Sequence, residues 1–148
     1  MDTSISTIAH SIAALSVSGV TLHDIHDIPP DCTRLVPCLI PEPLNYVTNY
    51  TSSRDSFGPS STAQKTVEYD LNYTYLFAEI GSGRTGLDFY DDMVAKFEAI
   101  LDVIHDNDTL SGVVDIMPQG AVDFGPVPDP AGNQYLGCRL VLHCIEFE

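Results

Sequence analysis

The chain has 148 residues, 44% of them hydrophobic, which suits one buried core and leaves no need for a second. Its six Lys and Arg stand against 21 Asp and Glu, a formal charge of -15 at pH 7, and so negative a surface repels phosphate backbones and argues against specific DNA binding. The ten prolines and ten glycines are spread along the chain, so no linker composition divides it.

Met1 to Leu15 carries no basic segment, and Ser, Thr and His interrupt its apolar positions. This predicts neither a signal peptide nor a membrane span, and a cytosolic origin. The Asn-x-Thr triplets at Asn49, Asn72 and Asn107 are then chance matches. Ile5, Ile8, Ala9, Ile12 and Leu15 recur at helical spacing, with Thr3 or Ser4 as N-cap and Gly19 as a stop, which predicts an amphipathic helix over about residues 4–17. A short strand follows at Val20 to His23, then a loop through Pro29 and Pro30. Leu35 to Ile40 reads as a strand that Pro37 pushes to an edge or a bulge. Tyr46 to Ser56 is polar and Thr-rich, so a strand there is at least half exposed. Phe57 to Thr62 has loop composition, and residues 44–64 together form a long polar loop or hairpin.

The clearest period lies in Lys65 to Glu79. Val67, Tyr69, Leu71, Tyr73, Tyr75 and Phe77 alternate with Thr66, Glu68, Asp70, Asn72 and Thr74, which predicts a long strand with one face on the core and the other in water or against a neighbouring subunit. On that reading Asn72→Ala is near-neutral. Beyond Gly81 to Gly86, the spacing of Tyr90, Met93, Val94, Phe97, Ile100, Leu101 and Ile104 predicts a second helix, with Asp88, Asp91 and Asp92 at the positive end of its dipole. Val113 to Met117 and Ala121 to Val127 read as two short strands or a hairpin, and Asp129 to Asn133 as a turn. Tyr135 to Phe147 is apolar on both alternating sets, which predicts a central strand covered on both sides. The order implies an α+β domain spanning 1–148, a mixed and mostly antiparallel sheet packed by two helices.

Chemistry-bearing patterns are weak. Gly81, Gly83 and Gly86 form G-x-G-x-x-G, but the preceding strand is half polar and no acidic residue closes a following strand, so the pattern reads as a connector rather than a nucleotide site. His23, Asp24, His26 and Asp27 have metal-ligand chemistry, yet a polar loop before Pro29 explains them as well. No nucleophile-elbow pattern is present. Asp91/Asp92 and Glu146/Glu148 read as solvated charge. Cys32, Cys38, Cys138 and Cys144 are expected as buried free thiols. Both couples are spaced C-x5-C, about 20 Å along a strand, which argues against pairing within a couple and leaves a cross-pair approach of Cys38 to Cys138 or Cys144 open. No catalytic residue, metal or cofactor is expected.

Three stretches together resemble small tail proteins of long-tailed bacteriophages: Thr51 to Gly58 leading into Lys65 to Tyr69, Met93 to Val103, and Asp129 to Asn133 followed by Gly137, Cys138 and the last strand. The element order is similar to that of the lambda-type tail terminator family. The resemblance implies a homohexameric ring that caps the tail tube, ends its polymerisation and meets a head-completion or neck protein. It places the subunit in the virion, at the head-proximal end of the tail, with genome DNA passing the lumen unbound and no membrane contact. The Pro-rich passage from Pro29 to Pro43 departs from the family pattern and leaves a neck or tail-tube role open. Arg54, Asp55, Phe57, Glu68, Asp70 and Arg84 are the candidate interface residues. Arg54, one of six basic residues, is suited to pair with an acidic neighbouring subunit or the tube, and a loop at Thr51 to Ala63 is expected to be mobile in a free subunit.

Overall fold

A computed structural model describes residues 4–33, 35–54, 65–79, 87–107, 114–118 and 122–147. Helix α1 spans Ser4–Ala13 and helix α2 spans Leu87–Asp106. The strands are β1 (Thr21–Leu22), β2 (Cys38–Pro41), β3 (Val47–Arg54), β4 (Lys65–Glu79), β5 (Asp115–Pro118), β6 (Gly125–Pro128) and β7 (Gln134–Phe147). The fold is α+β, with a seven-stranded, mostly antiparallel sheet and two helices.

The long strands β4 and β7 form the spine, paired antiparallel from Thr66↔Phe147 to Glu79↔Tyr135. Around them the sheet has two halves. In one half the order is β1-β2-β4-β7-β6, and in the other β3-β4-β7-β5. β5 and β6 therefore both pair with β7 and not with each other, which removes the hairpin alternative. Pro37 precedes β2 instead of lying within it, so β2 keeps its ladder and sits between β1 and β4 rather than at an edge. Helix α1 is shorter than its apolar spacing implies. The Leu15 amide bonds the Ile12 carbonyl at 3.1 Å, a tightened final turn, and Val17 and Val20 then bridge around Gly19 at φ +78°.

The odd-numbered residues of β4 face both helices, as the alternation predicts. Tyr69, Leu71, Tyr73, Tyr75 and Phe77 pack with Ile8 and Ile12 of α1, with Met93, Phe97, Ile100 and Ile104 of α2, and with Cys138, Leu140, Leu142 and Cys144 of β7. Each large side chain buried there contributes roughly 1.5–3 kcal/mol. The phenols in this layer find partners: the Tyr75 hydroxyl donates to the Met93 carbonyl at 3.0 Å, and the Tyr46 and Tyr73 hydroxyls lie 2.5 Å apart.

The opposite face is not simply wet. At one end a second small core of Cys32, Cys38, Ile40, Leu76, Val127 and Tyr135 covers it. There Cys32 and Cys38 share one buried cluster. Cys32 lies in the loop that folds back over the sheet and not on the strand that carries Cys38, so the along-strand distance does not apply to this couple, although the two stay unbridged as expected. All four cysteines are free and buried, and burial pushes the Cys138 and Cys144 thiols up to about 12, which keeps them inert. Glu146, expected in solvent, is 5% exposed on the helix-facing side, where the Tyr69 hydroxyl donates to its Oε2 at 2.9 Å. Burial and that bond push the Tyr69 phenol well above its usual range.

Candidate interaction face

At the other end the second face of the sheet is open, and register decides what it shows. Cross-strand partners share a face, so β4 and β7 contribute the rows Thr74↔Arg139, Asn72↔Val141, Asp70↔His143 and Glu68↔Ile145. β5 extends two rows with Met117↔His143 and Asp115↔Ile145, and β3 extends them on the far side with Thr48↔Asp70 and Thr51↔Glu68. Among these, Arg139, Asp115, Met117 and Thr51 are exposed, while Val141, His143, Ile145 and Glu68 are half-buried. β7 is thus central in the sheet, but it is fully covered only on its helix side.

Asp70 corrects the expectation of a solvent-facing carboxylate. It is 7% exposed, and Asn49 Nδ2 donates to its Oδ2 at 2.7 Å while His143 Nδ1 lies 2.8 Å from its Oδ1. Asn49 reaches it from a register shift between Thr48 and Thr51, with φ at +54°, a left-handed conformation that asparagine tolerates better than most residues. Asn72 is likewise engaged. Its Nδ2 donates to the Asn45 carbonyl and to Thr48 Oγ1, both at 2.9 Å, and ties β4 to the chain entering β3.

Next to these rows a groove of about 380 Å³ crosses the sheet. Its floor is Ile40, Thr74 and Arg139, and Leu44 and the prolines Pro43, Pro128 and Pro130 line its sides. Arg139 Nε lies 3.2 Å from Glu42 Oε1, although the guanidinium side chain remains 69% exposed. Leu44 is 93% exposed.

Asp129 secures one side of the groove. Its carboxylate accepts the Cys32 amide (3.0 Å), the Asn133 amide (2.9 Å), Asn133 Nδ2 (3.1 Å) and the Tyr135 hydroxyl (2.9 Å). Burial alone would raise its pKa, but these four donors outweigh burial and hold it below the usual carboxylate value. Asp129→Ala should therefore cost roughly 2 kcal/mol, because the Cys32 amide and the Tyr135 hydroxyl lose their acceptor where water reaches poorly. The pH dependence has a definite sign. A depressed folded-state pKa stabilises fully above the unfolded value near ~4 and is lost as pH falls through the lower folded value. Urea titrations of wild type and Asp129→Asn from about pH 6 downward check this. Parallel losses in both proteins would dismiss Asp129 as an acid-sensitive tie.

The other sequence-derived candidates are distributed as follows. Arg54 ends β3, its backbone opposite Lys65. Glu68 lies on the open face. Asp55, Phe57, Arg84 and the glycines of G-x-G-x-x-G, like the loop from Ser56 to Thr62, fall outside the described residues. Of the His and Asp residues before Pro29, Asp24 and His26 serve local structure. Asp24 caps a one-turn 3₁₀ helix at Ile25–Asp27 by accepting the His26 amide at 3.3 Å, and it meets His10 Nδ1 of α1 at 2.8 Å. His26 Nε2 meets Ser6 Oγ at 2.7 Å. Burial lowers the His23 pKa, partly opposed by Asp27, and its Nε2 is enclosed without a partner. Among the described residues no group of three or more His, Cys, Asp or Glu is placed to hold a metal, and no helix is long and apolar enough to cross a membrane.

Sequence reasoning missed three separate groupings: Asn49 and His143 on Asp70, the Glu42–Arg139 pair, and the donors that converge on Asp129. Partners 73 positions apart, such as Asp70 and His143, leave no local signal. No protein-family model matches the chain, and no curated protein is significantly similar to it.

Proposed function

We propose that this chain is a structural assembly subunit that closes into a ring, and specifically a tail-terminator subunit capping a phage tail tube and presenting a docking surface to the head-neck. The observation that carries the ring is strand β3. It is eight residues long, pairs with β4 along one edge, and pairs with no other described strand along its second edge. Thr51 and Ser52, beyond the register shift, are exposed, and between that shift and Arg54 the strand carries no charge and no Pro on that edge. Such an edge suits a head-to-tail contact, and a head-to-tail contact whose rotation closes generates a ring. The three tail-protein-like stretches and the charge of -15 add the terminator reading, since an acidic lumen lets DNA pass without adhering.

Native mass spectrometry and negative-stain microscopy of the purified chain, alone and with tail tubes, test it. The expected result is a hexameric ring at the tube end, weakened at least about tenfold by Arg54→Glu or by deletion of residues 56–62, with the subunit's thermal stability nearly unchanged. A strict monomer that never caps tubes would defeat the proposal. Incorporation along the tube, or above the cap, would instead assign a tube or neck role.

A further inference from the structure

The open sheet face and its groove form one strip, and the strip's composition specifies what it takes. Five carboxylates lie along it, those of Glu42, Glu68, Asp70, Asp115 and Asp129, of which Asp70 and Asp129 are buried, against one guanidinium, Arg139, which is itself paired with Glu42. Asp70 is held by Asn49 and His143, so the central row is fixed in place before anything binds. Apolar side chains sit between the charges: Leu44 at 93% exposure, Met117 at 68%, and the half-buried Val141 and Ile145. Exposed Leu and Met beside carboxylates offer a partner protein apolar contact together with a charge that selects among partners.

Charge decides the occupant. Nucleic acid and anionic lipid headgroups carry the same sign as the strip and as the whole chain at -15. In a two-fold contact a second copy would set the same carboxylates directly against these. We infer that the strip docks an extended, basic segment of a partner protein, with Lys or Arg side chains over Glu68 and Asp115 and apolar side chains against Met117, Ile145 and the Leu44 side of the groove. The inference does not depend on ring formation, which uses the β3 edge.

The test is fluorescence anisotropy with a short labelled peptide of alternating lysine and valine, and the matching glutamate–valine peptide as control. Two double variants carry the same charge change. Asp115→Lys with Met117→Lys alters the strip, and Asp102→Lys with Ala95→Lys alters the exposed side of α2 on the other side of the sheet; all four positions are exposed. Near-ultraviolet circular dichroism confirms that both variants fold. The expected result is that the basic peptide binds wild type, the strip variant loses at least about tenfold, and the α2 variant stays within about twofold. Equal losses in both variants would reduce the binding to net charge and overturn the proposal. So would no binding of the basic peptide, or equal binding of the acidic one. A dimer of wild type that only the strip variant dissolves would give the face to a second copy and overturn the basic occupant.

Discussion

Gly137→Ala is expected to cost more than about 3 kcal/mol, a large share of the roughly 5–15 kcal/mol that holds a domain of ordinary stability. Gly137 lies in β7 opposite Leu76, next to the register shift between Leu76 and Ala78 in β4. A Cβ built there would stand 1.7 Å from the Tyr75 carbonyl oxygen and 2.8 Å from its carbonyl carbon, with Val127 Cγ2 at 3.3 Å behind. The first two contacts are with the backbone of the longest strand in the sheet, so no rotamer change relieves them. Relief requires β7 to move off β4, and the β4–β7 ladder anchors both cores. Gly125 provides the control, since a Cβ there meets nothing within 4 Å and its backbone φ is not left-handed. Gly125→Ala should lie within about 0.5 kcal/mol of wild type. Urea unfolding of both variants reads the contrast directly, and a Gly137→Ala midpoint close to that of wild type would mean that the two strands do not approach as closely as described.

What the sequence revealed of this fold follows the range over which each signal acts. The alternation from Lys65 to Glu79 and the helical spacing from Tyr90 to Ile104 are local, and β4 and α2 appear where those periods place them. The apolar character of both residue sets from Tyr135 to Phe147 marked β7 as central, and it is. Alternation says that two faces differ, but not what covers the second. The cover over Leu76 and Ile40 comes from residues near Cys32 and from β6, about 45 and 50 positions from Leu76, and nothing in the β4 pattern announces it. The candidate face is less legible still. Glu42 meets Arg139 and Asp70 meets His143 only because the β4–β7 register sets those rows, and a slip of one residue would send each to the other side of the sheet. The acidic residues from Glu68 to Asp70 were visible as polar, but their division into an open Glu68 and a buried, hydrogen-bonded Asp70 depends on Asn49 and on the shift in β3 that turns it inward.

Adjacent substitutions in β4 separate the two faces energetically. Leu71 is fully buried, paired with Val47 on one side and Leu142 on the other, in the layer that both helices cover. Leu71→Ala should cost about 2–5 kcal/mol, the lost transfer energy plus a cavity that three strands cannot close. Asn72, on the other face, would be near-neutral if that face were only wet. Its amide instead bonds the Asn45 carbonyl and Thr48 Oγ1, while its backbone N–H bonds the Tyr46 carbonyl at 2.8 Å. Asn72→Ala keeps the backbone bond and loses the side-chain bonds at a half-buried site, which sets its cost at roughly 1 kcal/mol. The two also differ in what they loosen. Leu71→Ala opens a cavity shared by every layer of the main core and should lower protection throughout the sheet. Asn72→Ala should raise amide exchange mainly over the entry to β3, from Asn45 to Thr48, with α2 unchanged. Denaturant midpoints combined with hydrogen exchange distinguish these outcomes. A neutral Asn72→Ala with unchanged exchange at Thr48 would mean that the first turn into β3 is held by backbone pairing alone, and that the strip loses no support when this side chain is removed.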